Sequence, residues 1–233
     1  HSLFMDIHGP IGTTSINGFR YILGLICAST GFCWIEMLKL KSDSTTALRA
    51  IFTRISTNPS ISINFLRART VLYSDNAKEF TTADFEQLFT DFTIQHRFTS
   101  PYNHIENYYI ERLWRTLADS ARALLTMSGI PLKFWTAAWR HAAHVYNILP
   151  RAHRDEKGVF LSPHERLTGQ SASLAHLRLF GCDAYAYIEP GARTGGKLAA
   201  ERARHGRYVG HNELNTRTVI LLDMNTEQVF LSG

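Results

Sequence analysis

Three acidic residues have the type and position to hold divalent metal ions. Asp6 lies in a short apolar run, Asp75 directly follows the strand-like run 71–74, and Glu111 follows after 35 intervening residues. Crowded carboxylates repel one another unless a cation neutralises them, and Mg²⁺ prefers oxygen ligands. Two such ions can promote an in-line phosphoryl transfer. Because the chain has twenty acids, a loosely spaced triple also arises by chance, and Glu79 and Glu106 are alternative third acids.

The apolar pattern predicts the elements that would position these acids. The order is three antiparallel strands, a helix, a strand, a second helix, a strand and then two long helices. Because the fourth strand, 70–74, follows a helix, it can lie parallel to the first strand and bring Asp75 to Asp6. A helix from Ile110 that returns over the sheet would add Glu111, after a polar, irregular segment 100–109. The predicted fold class is α/β, a mixed five-stranded sheet with helices on its faces.

Composition bounds the class of protein. The chain has 233 residues, of which 45% are hydrophobic, enough for a core and against disorder. A net charge of +5 favours polyanionic partners, nucleic acid above all. Three cysteines without a C-x-x-C pair argue against a disulfide framework and against a zinc site within the chain, and favour a reducing, intracellular compartment. No apolar run reaches membrane-spanning length.

The composition changes after Pro150, which predicts a domain boundary. Residues 151–176 are charged and carry turn formers, so they are predicted to be a linker. From 177 to 233, short β-like runs alternate with turns, and this part is predicted to be a small all-β module. Its size makes independent folding marginal. The predicted division is therefore a core at 1–150, a linker at 151–176 and a β module at 177–233.

Several short segments along nearly the whole chain match one family. They are MDIHGP (5–10), DNAKEF (75–80), ER (111–112), RTL (115–117), LRLFGC (177–182) and YVG (208–210). With the Asp-x35-Glu spacing, they resemble the integrase of copia-type retrotransposons, in the retroviral integrase superfamily. The resemblance implies an RNase H-like catalytic core and a C-terminal SH3-like module. It also implies that Asp6, Asp75 and Glu111 are the catalytic residues and bind two Mg²⁺ (or Mn²⁺) ions.

The same resemblance implies an activity and a setting. The chain would be a polynucleotidyl transferase that processes 3′ ends and joins them to target DNA, which is DNA integration. Its partners would be the double-stranded DNA of the element ends and of the target, further copies in a homo-oligomer, and a polyprotein with protease and reverse transcriptase. It would start in a cytoplasmic particle, act in the nucleus and involve no membrane.

Two places depart from the family pattern. Ala77 stands where the family has Gly, and Asn107-Tyr108 stands where the loop before the catalytic Glu has Asn-Gly. Tyr108 could stack on an unpaired base, or it could mark a copy no longer under selection. The alternative function is therefore a catalytically inactive relic that binds nucleic acid or serves assembly. A third option is an RNase H-type nuclease, but the C-terminal β module argues against it.

Other side chains are candidates for contact with nucleic acid or metal. Basic side chains can hold phosphates, although surface arginines often bind nothing. Trp114, Trp135 and Trp139 fall at helical spacing and are predicted to pack in the core. His141 and His144 have a metal-ligand spacing but lack a carboxylate or cysteine companion. The predicted nucleic-acid-binding residues are Asn76, Lys78, Tyr108, Arg112, Arg115, Arg122, Lys197 and Arg204.

Overall fold

The apolar runs of the first half of the chain form a mixed sheet in the order β3-β2-β1-β4-β5. The strand after the first helix pairs parallel with the first strand, as predicted, and the first three strands are antiparallel. This confirms the predicted mixed five-stranded sheet. The strands are β1 (Ser2–His8), β2 (Tyr21–Cys27), β3 (Cys33–Leu38), β4 (Val71–Ser74) and β5 (Gln95–Phe98). The computed structural model describes residues 1–61, 65–66, 70–99, 104–150, 158–193, 201–212 and 215–232.

Helices cover both faces of this sheet because its strands are apolar on both sides. Leu3 and Met5 of β1 pack in one buried cluster with the first two helices, whereas Phe4 points to the other face and packs with the next two. The helices are α1 (Ser44–Thr57), α2 (Ala83–Asp91), α3 (His104–Ser128), α4 (Trp135–Ile148) and α5 (Pro163–Thr168). No helix in the described part of the chain combines the length and apolar character needed to span a bilayer.

Helix α3 begins earlier than predicted. The prediction of an irregular segment at 100–109 is wrong for 104–109, which are helical, and residues 100–103 lie outside the described part. The polar composition suggested a loop, but long-range packing favours the helix. The ring of Tyr109 stacks on Phe4 of β1 at 5.1 Å, and the Tyr108 hydroxyl accepts a hydrogen bond of 3.0 Å from Arg112 one turn later. Tyr108 is therefore a helical residue.

The C-terminal part forms a second sheet, as predicted. It is antiparallel, in the order β6-β7-β8-β9, and its outer strand β6 pairs with β7 through Asp183 and Arg207. Val209 and Leu222 share a buried cluster with α3, α4 and Phe180, so the second sheet packs against the helical layer of the first. Its strands are β6 (Asp183–Tyr187), β7 (Ala203–Asn212), β8 (Asn215–Leu222) and β9 (Val229–Ser232).

The segment predicted as a linker contains the helix α5. Ser162 caps α5, because its Oγ accepts the N–H of Glu165 at 3.1 Å and the Glu165 carboxylate accepts the N–H of Ser162 at 2.8 Å. Gly169 ends the helix with φ of 71°, a conformation that glycine adopts freely. Helix α5 contacts α4, and Leu167 packs against the cluster of α1 and α2. Part of the predicted linker is thus docked on the core.

Asn147 joins α4 to the edge strand β3. Its Oδ1 accepts the Cys33 N–H at 2.9 Å, and its Nδ2 donates to the Cys33 carbonyl at 2.7 Å, both in a buried setting. We expect Asn147→Ala to lower the free energy of unfolding by about 2 kcal/mol, since two buried hydrogen bonds are lost. Denaturant unfolding measures this change. Asn225→Ala, in an exposed turn, is the matched control and should stay within about 0.5 kcal/mol of the parent; equal effects would contradict the prediction.

Candidate active site

Asp6 and Asp75 are neighbours at the end of two parallel strands. Phe4 of β1 pairs with Tyr73 of β4, and Asp6 and Asp75 each lie two residues further along, Asp75 just past the end of β4 and close enough for the Asp6 charge to act on it. Adjacent strands lie about 4.8 Å apart. Because side chains alternate along a strand, Asp6 shares the face of Phe4, which α3 covers. The sheet therefore brings the first two predicted acids together.

The Asp6 carboxylate is held by a tryptophan of α3. Trp114 Nε1 donates a hydrogen bond of 2.8 Å to Asp6 Oδ2. The indole lies on Gly24, which faces Asp6 in the β1–β2 pair, and a Cβ there would lie 2.3 Å from Trp114 Cη2. Trp114, Trp135 and Trp139 are buried, as predicted for packing residues, but the bond from Trp114 to Asp6 was not predicted.

The Asp75 carboxyl lies in an environment that disfavours its charge. Partial burial raises the pKa of Asp75, and the negative charges of Asp6 and Glu79 raise it further. The N–H of Ala77, which donates to Asp75 Oδ1 at 3.3 Å, acts in the opposite direction. Glu79 is paired with Lys41 at 2.9 Å, and this hydrogen bond lowers the pKa of Glu79. Glu79 thus already has a cationic partner, which weakens it as the alternative third acid.

Glu111 lies on the exposed side of α3, one turn before Trp114. Residues three apart are neighbours on a helix surface, so Glu111 borders the buried face from which Trp114 reaches Asp6. Its neighbours Ile110 and Leu113 are buried and fix this part of α3 on the sheet. Among the described residues, the three acids do not form a group with ligand atoms within 4.8 Å of one another. The structure brings Asp6 and Asp75 together and holds Glu111 at the rim.

The donor set fits a hard divalent cation. Its candidate ligands are carboxylate oxygens, which Mg²⁺ and Mn²⁺ prefer. Both neighbouring acids, Asp6 and Glu79, disfavour the charge of Asp75, and a bound dication would reverse this effect.

The predicted nucleic-acid-binding residues lie in separate parts of the structure. Asn76 and Lys78 are exposed beside Asp75, and Tyr108, Arg112 and Arg115 are exposed on α3 near Glu111. Arg122 is about 16 Å further along α3 than Glu111 and pairs with Asp119 at 2.9 Å. In the second sheet, Arg204 bonds Asp223 at 3.1 Å and lies 4.0 Å above the Phe230 ring, so its guanidinium is engaged. Lys197 lies outside the described residues.

A cluster of histidines was missed by sequence reasoning. His144 of α4 meets His176 and His211, which are distant in sequence, within the described part of the chain. Burial, with the nearby histidines, lowers the pKa of His144 to about 3, and burial with His211 lowers that of His141 to about 4. Only the His141–His144 spacing was visible in the sequence, and its companions come from other segments.

Comparisons with known proteins identify similar chains. No family model matches. The chain is 27% identical over 192 residues, 82% of its length, to the retrovirus-related Pol polyprotein from transposon TNT 1-94 of Nicotiana tabacum. It is 29% identical over 222 residues, 94% of its length, to that from transposon RE2 of Arabidopsis thaliana. The chain spans 14% of the length of each of these relatives.

A solved structure has the same fold. A chain of the simian T-cell lymphotropic virus intasome, determined in complex with PP2A regulatory subunit B56 gamma, is 12% identical with a TM-score of 0.54. The match covers 100% of the present chain and 75% of the viral one. The resemblance inferred from the sequence is confirmed in that the relatives are retrotransposon Pol polyproteins.

Proposed function

We propose that this chain is the catalytic and C-terminal part of a copia-type retrotransposon integrase. It would catalyse divalent-metal-dependent 3′-end processing and DNA strand transfer. The observation that carries the proposal is Asp6 beside Asp75 at one edge of the sheet, with the α3 helix that bears Glu111 bonded to Asp6 through Trp114. The Pol polyprotein relatives support the same origin.

Asp6, Asp75 and Glu111 would hold the ions. When bound, divalent ions activate the attacking hydroxyl and stabilise the leaving oxygen. The protein's part is positioning. Trp114 fixes one oxygen of Asp6, the Ala77 N–H orients Asp75, and Lys41 engages Glu79 so that it does not compete for the ions. Asn76, Lys78 and Tyr108 lie on the exposed side of this edge, where DNA would approach.

A strand-transfer assay tests the function. The purified chain is incubated with duplexes that end in the element's terminal sequence and with target plasmid, in Mg²⁺, Mn²⁺ or chelator. We expect joined products with either metal and none with chelator. Binding of DNA without any product in either metal would overturn the catalytic proposal and favour the inactive relic.

Arg115 should contribute to DNA affinity through a phosphate. It is exposed on α3, one turn after Glu111. We call the end of the sheet that carries Asp6 and Asp75 the acidic edge. We expect Arg115→Ala to weaken binding to all sequences alike and to reduce the slope of log affinity against log salt by about 1. Fluorescence anisotropy over a salt series measures this slope. Arg49→Ala, which removes an arginine of α1 that is paired with Asp91 on the opposite side of the sheet, is the control and should change the slope less; equal slopes in both variants would contradict the prediction.

The partners and the site of action extend this proposal. The structural neighbour comes from an intasome, and we propose that this chain likewise acts as a homo-oligomer on double-stranded DNA. Because the relatives are polyproteins, we propose that it is made with a protease and a reverse transcriptase. It would act in the nucleus after assembly in a cytoplasmic particle.

A further inference from the structure

Three histidines from separate segments meet where the C-terminal sheet packs on the helical layer. His144 lies on α4, His176 in the turn at 175–176 and His211 near the end of β7. One nitrogen of each lies within 4.8 Å of the others. The ring centroids of His211 are 4.4 Å from His144 and 4.6 Å from His176, with nearly perpendicular planes. The three imidazoles therefore converge on one point from three directions.

A β-bulge aims His211 at this point. Tyr208 pairs with Leu221 and Gly210 with Ile220, so Val209 is an extra residue in β7. In a regular strand, residues 208 and 211 would face opposite sides of the sheet, but the bulge puts them on the same side. As a result, the Tyr208 hydroxyl lies 2.6 Å from His211 Nδ1. The backbone irregularity serves to place this one side chain.

One buried nitrogen of the cluster lacks a hydrogen-bond partner. His211 is only 9% exposed, and its Nε2 is buried without a hydrogen-bond partner among the described residues. A buried polar atom left unpaired destabilises the fold. His144 Nε2 and His176 Nε2 face each other at 3.0 Å, close to the roughly 3.3 Å between two imidazole nitrogens on one tetrahedral zinc ion. A cation between the rings would pair all three nitrogens at once.

We propose that His144, His176 and His211 form a binding site for a divalent transition metal, with Zn²⁺ as the favoured ion. Neutral imidazole suits zinc and its neighbours, whereas Mg²⁺ prefers oxygen. Tyr208 is the positioning residue: its hydroxyl lies 2.6 Å from His211 Nδ1, and with a metal on Nε2 the Nδ1–H would donate to that oxygen and fix the ring. A water molecule would complete a four-coordinate ion. Counting cysteines does not detect such a site, because its ligands are all histidines.

The site would fasten the C-terminal sheet to the core. Its ligands belong to α4, to the segment before β6 and to β7, which are the parts that meet at this junction. The apolar contact there includes Phe180 and Val209, and the metal would add a rigid link beside it. The C-terminal sheet would then keep a fixed orientation relative to the acidic edge.

Metal binding is measured on the tag-free chain, since an affinity tag of histidines would bind the same ions. Zn²⁺ is titrated against a chromophoric chelator in excess Mg²⁺, and Co²⁺ is titrated separately to record its visible absorption. We expect one zinc per chain and a cobalt spectrum typical of a four-coordinate ion with three nitrogen ligands and one water. Zinc should also raise the melting temperature. Asp75→Asn should bind zinc equally, which separates this site from the proposed catalytic one.

Variants assign the ligands. His176→Ala, in a half-buried turn, and His211→Gln should each weaken zinc binding by about 100-fold or more and abolish the rise in melting temperature. Tyr208→Phe keeps the buried ring and should weaken binding by about 10-fold. His205→Ala is the matched control, because this exposed histidine of β7 bonds Asp183 at 2.9 Å and lies outside the cluster. Its zinc affinity should equal that of the parent.

Two results would overturn the proposal. One is a parent protein with native circular dichroism that binds less than about a tenth of an equivalent of zinc at micromolar concentrations. The other is one equivalent of zinc that persists unchanged in both His176→Ala and His211→Gln. Because His176 lies in a turn, its variant should fold even if His211→Gln does not.

Discussion

Asp75→Asn should abolish strand transfer and leave the fold intact. We expect the rate of strand transfer to fall by at least about 10³-fold, because the variant loses a charged metal ligand. This corresponds to about 4 kcal/mol of lost transition-state stabilisation. The amide is nearly isosteric with the carboxylate, and its oxygen can still accept the Ala77 N–H. The loss would therefore be chemical rather than structural. Single-turnover assays in saturating Mg²⁺ measure it.

The same substitution should stabilise the protein when no metal is bound. Burial and the charges of Asp6 and Glu79 raise the pKa of Asp75 above its ordinary value of 3.8, so its ionised form costs free energy in the folded state. Below that value the carboxyl is protonated in both folded and unfolded chains, and parent and variant should be equally stable. As the pH rises through the raised pKa, the parent should lose stability relative to Asp75→Asn.

Thermal unfolding between pH 3.5 and 7.5 in chelator measures the difference in stability between the parent and Asp75→Asn. Added Mg²⁺ should stabilise the parent but not the variant. Asp84→Asn, on the exposed face of α2, is the control and should retain both activity and pH profile. A variant that is inactive but also less stable than the parent at neutral pH would point to a structural role for Asp75. Full activity of Asp75→Asn would remove Asp75 from the catalytic set.

The sequence predicted those features that depend on local pattern. A strand that follows a helix can run parallel to the first strand, and the observed parallel pairing of β1 and β4 agrees with this prediction. The start of α3 could not be predicted in the same way. Its first turns are polar, and Tyr109 is held there by stacking on Phe4, which is more than a hundred residues away in the chain.

The contacts that complete both sites are long-range for the same reason. Trp114 and Asp6 are 108 residues apart, and a tryptophan at helical spacing in a buried stripe gives no sign that its N–H binds a carboxylate. The spacing of His141 and His144 is compatible with metal ligation, but the companions of His144 come from a turn and from a bulged strand. A bulge reverses the face of every later side chain, so alternation alone would place His211 on the wrong side.

Gly24→Ala should be strongly destabilising, although alanine suits a strand no worse than glycine. A Cβ at this position would lie 2.3 Å from Trp114 Cη2 and 2.6 Å from Cζ2, far inside van der Waals contact. The indole has little room to retreat, because it packs edge-on against Trp139 at 6.0 Å and against His8 at 5.1 Å. We expect the free energy of unfolding to fall by about 3 kcal/mol. Denaturant unfolding measures this, with Gly12→Ala, in open space, as a neutral control.

A double substitution separates packing from chemistry at this position. In the double variant Gly24→Ala/Trp114→Phe, the part of the indole ring that would meet the new Cβ is absent. The combined loss of stability should therefore be smaller than the sum of the two single losses. Strand transfer should nevertheless remain low, since phenylalanine has no N–H to hold the Asp6 carboxylate. Stability of Gly24→Ala equal to that of Gly12→Ala would mean that Trp114 is not fixed over the strand. Recovery of both stability and activity in the double variant would mean that α3 needs only the right volume at residue 114, and that the bond to Asp6 does not orient the catalytic acid.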